Sequence, residues 1–239
     1  MADEFCDPGT PGYPKWTALD AMEWKLLPDT FGGGSVHLFD YKGAWVKYNR
    51  KRIKMAAASR LIPPLLLGSV AWAEAGGMPD FVKGDVVFPL RSFDWSGPHW
   101  VDRYLTITSP PGKTSFGEIS IELRVAAREL GITLSMLPYS KQQDLARCLE
   151  TDTFNIDVVA RHLHRLILYD YPGIDTAHLT DEQFIVAGSR YNRGTQRALA
   201  DFIASLTAPE GSPTRQYTEY GRSMIRHRDR VKALLGVGP

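Results

Sequence analysis

Apolar residues recur three and four positions apart through most of the second half of this chain, the spacing of a helix with one buried face. Helices are expected at about 121–131, 138–150, 155–168, 180–189, 195–206 and 217–235, with breaks at Gly131, at Tyr171-Pro172-Gly173 and across 209–213. Earlier, Leu19, Met22, Trp24, Leu26 and Leu27 supply apolar positions for a short helix over 16–27. The stretch 36–48 mixes aromatic and β-branched residues and reads as strand or loop. Residues 47–54 carry five basic side chains, a solvated helix face that continues as helix through 55–61. Pro63 and Pro64 open a second helix, since proline is tolerated in a first turn, and Gly76-Gly77 close it. Residues 78–113 lack helical period and hold Phe81, Phe88, Phe93, Trp95, Trp100 and Tyr104, which suggests an irregular insertion with room for one β-hairpin. The expected fold class is mostly α (α+β) with a small β element.

Composition narrows the function. With 28 Lys+Arg against 27 Asp+Glu the net charge is +1, without the basic excess of a dedicated nucleic-acid binder. The 44% hydrophobic content excludes disorder as the main state. The longest greasy run, 61–73, contains two prolines and is too short to span a bilayer, so no transmembrane segment is expected. The N-terminal residues lack a basic and apolar leader, so synthesis in the cytoplasm without a signal peptide is expected. Residues 1–15, with three Pro and two Gly, read as a flexible arm. Cys6 lies in that arm and Cys148 on an amphipathic stretch, so Cys148 reads as a packed thiol and no disulfide framework is expected.

Glu74 is the one ionisable side chain between Pro64 and Ala75. A helix apolar nearly all round is normally buried. Burial and the negative end of the helix dipole both disfavour an ionised carboxylate in the last turn. Such a group is suited to keep a proton near neutral pH and donate it as a general acid. The competing reading is a glutamate that points to solvent at a helix end.

The context of Glu74 carries a resemblance. Residues 55–77, a helix, a Pro-Pro step and a leucine-rich helix leading to Glu74-Ala75-Gly76, resemble the opening of the lysozyme-like lytic transglycosylases. Thr114-Ser115-Phe116-Gly117-Glu118-Ile119-Ser120-Ile121 is similar to that family's Ser-x-Gly-Leu-Met-Gln segment, and the helix after it ends in Leu130-Gly131. Asn155-Ile156 resembles the Asn-Ile helix, and Ala187-Gly188-Ser189-Arg190-Tyr191-Asn192-Arg193-Gly194 the Tyr-Asn-x-Gly motif that lines the sugar cleft. All four occur in the family's order. Departures exist: Ser120 stands at the family's glutamine, Glu118 at its leucine, and the spacer from Glu74 to Ser115 is long. Glu122 falls where goose-type lysozymes, a sister branch, carry an acidic residue.

The resemblance implies a lysozyme-like catalytic domain over 51–208 interrupted by the insertion 78–113, an N-terminal extension over 1–50 and a C-terminal helix over 209–239. It implies cleavage of the β-1,4 bond between N-acetylmuramic acid and N-acetylglucosamine in peptidoglycan, with Glu74 as general acid and no cofactor or metal. Candidate second carboxylates are Glu118 and Glu122, with Asp85, Asp94 and Asp102 behind them. Water held by such a group gives hydrolysis, the reading preferred; attack by the sugar's own 6-hydroxyl gives a 1,6-anhydro product instead. Ser115, Ser120 and Tyr191 are expected at the substrate, and Asn192 there or as a cap on the following helix. The expected setting is an antibacterial effector acting in the periplasm or cell wall of a target cell, with an immunity protein and a secretion apparatus such as type VI as partners. A phage endolysin and a catalytically silent peptidoglycan-binding module are the alternatives. Two rival readings rank lower. A metal site from His162 and His164 with Asp170, Asp175 and His178 fails because His162 and His164 sit two apart and point to different helix faces, and a Cys148–His162 peptidase needs a thiol that reads as packed.

Overall fold

The computed structural model describes residues 5–7, 9, 11–76 and 111–238, so the expectations for residues 78–110, including Asp85, Asp94, Asp102 and the insertion's aromatics, lie outside the described residues. Among the described residues the chain is mostly helical with one two-stranded sheet, as expected. It divides into two compact units, one of residues 1–45 and 74–158, the other of 46–73 and 159–239. Among the described residues no helix is long and apolar enough to cross a membrane.

In the first unit, α1 (Ala18–Leu26) starts at a capping box in which Thr17 and Asp20 satisfy each other's backbone N–H groups. Helix α2 (Gly34–Ser59) follows, with Oδ1 of Asp29 accepting the Ser35 N–H at its start. This corrects the strand-or-loop expectation for 36–48. Lys42, Trp45, Val46, Asn49, Ile53 and Ala57 are all buried, and their spacing of three and four is a helical stripe that the β-branched and aromatic residues obscure.

Strands β1 (Ser115–Phe116) and β2 (Ile121–Glu122) form an antiparallel hairpin, with Ser115 opposite Glu122 and Phe116 opposite Ile121. Helices α4 (Leu123–Glu129), α5 (Tyr139–Leu149) and α6 (Asp152–Asp170) follow. Cys6 and Cys148 are joined in a disulfide, with Cα atoms 5.7 Å apart, which overturns the packed-thiol reading of Cys148. Their separation of 142 residues is why spacing alone gave no sign of it. Residues 11–17 are further tied down where the Tyr13 N–H donates to Asp152 Oδ2 (2.8 Å) and the Lys15 ammonium to the Glu150 carbonyl.

In the second unit, α3 (Pro64–Glu74) contributes a stretch buried from Leu66 to Trp72. A Cβ on Gly68 would lie 2.7 Å from the Cδ1 of Leu235 on α10 (Arg228–Leu235), so any larger residue there would have to push that side chain aside. Helices α7 (Asp181–Arg193), α8 (Leu199–Thr207) and α9 (Glu219–Arg226) complete the unit, and the expected helix over 217–235 is split at His227. Fully buried Arg190 makes a two-pronged pair with Asp170, each contact 2.7 Å.

Candidate functional site

Glu74 is the last residue of α3 and is half-buried, neither sealed in the core nor out in open solvent. Gly76 ends the helix with φ of +75°, a left-handed conformation that favours glycine. A Cβ there would meet Leu38 at 3.0 Å and Tyr41 at 3.2 Å, so the absence of a side chain also allows close contact with α2.

That close contact delivers a hydrogen bond. The Gly76 N–H donates to Oε2 of Glu118 (3.1 Å), and the Tyr41 hydroxyl lies 2.8 Å from Oε1. The Trp16 N–H adds a long contact to Oε1 at 3.5 Å. Glu118 is 7% exposed. Tyr41 also reaches the Pro14 carbonyl (3.0 Å), and its ring meets buried Trp16 edge-on with centroids 4.8 Å apart.

Glu118 sits in the turn between β1 and β2. Gly117 has φ of +81°, and a Cβ on it would fall 2.4 Å from the Leu149 carbonyl oxygen. The Asn155 amide clamps the same turn, accepting from the Ile119 N–H and donating to the Ile119 carbonyl, both at 3.0 Å. Asn155 and Ile119 are buried, so these bonds are shielded from water.

Lys42, one position beyond Tyr41, is buried, and both Glu74 and Glu118 act on its charge. Loss of water pushes its ammonium down to about 8, against the pull of the two carboxylates in the opposite direction. Two acidic side chains and one buried cation therefore belong to one electrostatic group, and all of them lie in the first unit.

The other candidates are placed differently. Glu122 precedes α4 and pairs with Arg124, so the hydrogen bond to the end of α3 comes from Glu118 and not from Glu122. Ser115 and Ser120 are half-buried at the two sides of the Glu118 turn. Tyr191 and Asn192 lie on α7 in the second unit; Tyr191 is half-buried with its ring 5.9 Å from that of His162, and Asn192 is exposed. Asn192 does not cap the next helix, whose capping position is Ala198.

Of the residues weighed as metal ligands, Asp170 is committed to Arg190, and Asp175 pairs with His178 on the surface. Among the described residues, Asp20, Glu23 and His37 bring one ligand atom each within 4.8 Å of one another, and they form ion pairs among themselves. Tyr41, Lys42 and Trp16 escaped the sequence reading. Once α2 is a helix, Lys42 stands out as a charge inside its apolar stripe. No protein-family model, curated protein or solved structure matches the chain.

Proposed function

We propose that this protein cleaves peptidoglycan glycan strands at the β-1,4 bond between N-acetylmuramic acid and N-acetylglucosamine, with Glu74 as the general acid. The observation that carries the reading is the hydrogen bond from the Gly76 N–H, two residues past half-buried Glu74, to buried Glu118, which ties the end of an apolar helix to a second carboxylate. The ordered motifs around Glu74, Ser115, Asn155 and Tyr191 supply the substrate class. In the proposed step Glu74 gives its proton to the bridging oxygen, the bond from the sugar's C1 to that oxygen breaks, and its electron pair stays on the oxygen. The adjacent carboxylate supports the electron-poor C1 that results. In the hydrolytic form, water then adds to C1 and returns a proton to Glu74.

One observation favours a second outcome. Both oxygens of Glu118 already have donors, from Gly76, Trp16 and Tyr41, and a carboxylate so occupied is poorly placed to hold an attacking water. Attack by the sugar's own 6-hydroxyl, which passes its proton back to Glu74, needs no such water and leaves a 1,6-anhydro end. The Cys6–Cys148 disulfide fits work in an oxidising compartment such as the periplasm, in keeping with an antibacterial effector that acts on a target cell's wall.

The deciding experiment is turbidity loss of purified peptidoglycan with wild type and Glu74→Gln, followed by mass spectrometry of the released fragments. Clearing by wild type alone supports the reading, and equal clearing by both removes Glu74 as the acid. Binding without clearing by wild type would point to a binding module. Anhydro or hydrated reducing ends separate the two outcomes of cleavage.

A further inference from the structure

We infer that Asp20, Glu23 and His37 form a zinc site joining α1 to α2, with three protein ligands and a fourth position open to solvent. Zinc held there braces the fold whether or not Glu74 is an acid.

Helix geometry brings the three side chains together. Asp20 and Glu23 are three apart on α1 and share a face, and His37 stands in the first turn of α2. All three are half-buried. The His37 Nε2 lies 3.1 Å from Asp20 Oδ1 and 3.5 Å from Glu23 Oε2, and one ligand atom from each residue falls within 4.8 Å of the other two. Two ligands at about 2.0–2.2 Å from a tetrahedral ion are themselves about 3.3–3.6 Å apart. Both contacts to His37 come close to that spacing, and the long side chain of Glu23 has the torsions to close the third edge.

Hydrogen bonding alone leaves the group incomplete. Nε2 carries one hydrogen at most and aims it well at only one carboxylate. Asp20 is the nearer, and Glu23 is left with an ion-pair contact to the same nitrogen. A divalent cation between them satisfies all three groups, and two carboxylates with a neutral imidazole cancel its charge.

The ligands are also oriented from outside. Asp20 Oδ2 accepts the Thr17 N–H (2.8 Å) and the Thr17 hydroxyl, which leaves Oδ1 for His37. The His37 ring packs against buried Trp16, centroids 5.3 Å apart. Such outer contacts fix the ligands of metal centres. An imidazole with two carboxylates suits zinc, whereas Ca2+ and Mg2+ prefer six or more oxygens. Cys6 and Cys148 are joined to each other, so neither supplies a competing thiolate.

The test uses the full oxidised chain, stripped with a chelator and dialysed. Zn2+ binding is followed by calorimetry, Co2+ serves as the spectroscopic probe of coordination, and circular dichroism reports folding and melting. Wild type should bind one Zn2+ per chain, melt at a higher temperature with it, and keep it against equal Ca2+ or Mg2+. Thr17→Ala should weaken binding about tenfold, as loss of an outer contact does, and His37→Ala or Glu23→Gln should weaken it at least about a hundredfold. His178→Ala, which removes the surface partner of Asp175, should bind as wild type does. Wild type without saturable Zn2+ binding, a preference for Ca2+, or unchanged affinity in His37→Ala overturns the inference. If His37→Ala does not fold, Glu23→Gln decides alone, and wild-type affinity in that variant overturns it.

Discussion

The backbone N–H of Gly76 donates to Oε2 of Glu118 over 3.1 Å, so the helix end that presents Glu74 is tied to the second acidic side chain through two residues of chain. Substitutions at position 118 should separate charge from shape. Glu118→Gln loses the charge and keeps one acceptor oxygen, which can serve the Gly76 N–H while its amide donates to the Tyr41 hydroxyl; it should lower kcat about a hundredfold and cost less stability than Glu118→Ala. Glu118→Ala leaves those donors buried without their acceptor and should also cost about 1–3 kcal/mol of stability per group. A Glu118→Gln protein of full activity would remove this carboxylate from the chemistry.

Asn155 and Gly117 set where Glu118 sits. The Asn155 amide satisfies both backbone groups of Ile119, and Gly117 passes so close to the Leu149 carbonyl that no Cβ fits. Asn155→Ala should lose about 2–5 kcal/mol, from two buried partners left unsatisfied. Gly117→Ala should be worse than an ordinary turn substitution, since it adds a clash to a left-handed φ. Urea unfolding of both variants checks this; melts like wild type would mean that the turn is held by other contacts.

What could be read from the chain follows from what each signal measures. The helices from 123 onward were legible because burial on one face imposes a three-to-four spacing on the residues themselves, and α3, apolar nearly all round, because prolines open it and glycines close it. Helix α2 was not, because Val36, Phe39, Trp45 and Val46 have strand-like preferences that packing overrides. Misreading α2 hid Tyr41 and Lys42, whose significance comes from the stripe they share with Trp45 and Val46. Glu74 was legible as a lone charge in an apolar helix, and Glu118 from a motif position. Nothing local marks Gly76 as the donor to Glu118, nor Cys6 as the partner of Cys148, since both contacts join segments far apart in the chain.

The Cys6–Cys148 disulfide closes a loop of 142 residues and fastens the arm that carries Tyr13, Pro14 and Trp16. In the chain-entropy view, a loop of that length stabilises the fold by up to about 5 kcal/mol. Reduction, or Cys6→Ser, should lower the melting temperature and loosen the Trp16 and Pro14 contacts around Glu118 and Tyr41. Thermal melts with and without reductant, together with alkylation of free thiols, test the point. Identical melts, or two alkylatable thiols in the oxidised protein, would contradict it.

Lys42 also makes a prediction about stability in which the sign matters. Its ammonium is pushed from the ordinary 10.5 down to about 8 by burial, against the attraction of Glu74 and Glu118. Between those pH values an unfolded chain binds a proton on this lysine and the folded protein does not, so its contribution to stability rises with pH. Below about 8 both states are protonated and the full cost of burying the charge is present; above 10.5 neither is, and the cost is gone. At about 1.4 kcal/mol per unit, the relief across the window is on the order of 3 kcal/mol. Arginine stays charged throughout, so Lys42→Arg serves as the reference that cancels every other titrating group. The stability of wild type minus that of Lys42→Arg, from urea unfolding at matched pH, should rise across this window and be flat below it. A difference that is flat throughout would mean that Lys42 keeps its charge in the folded protein as readily as in water.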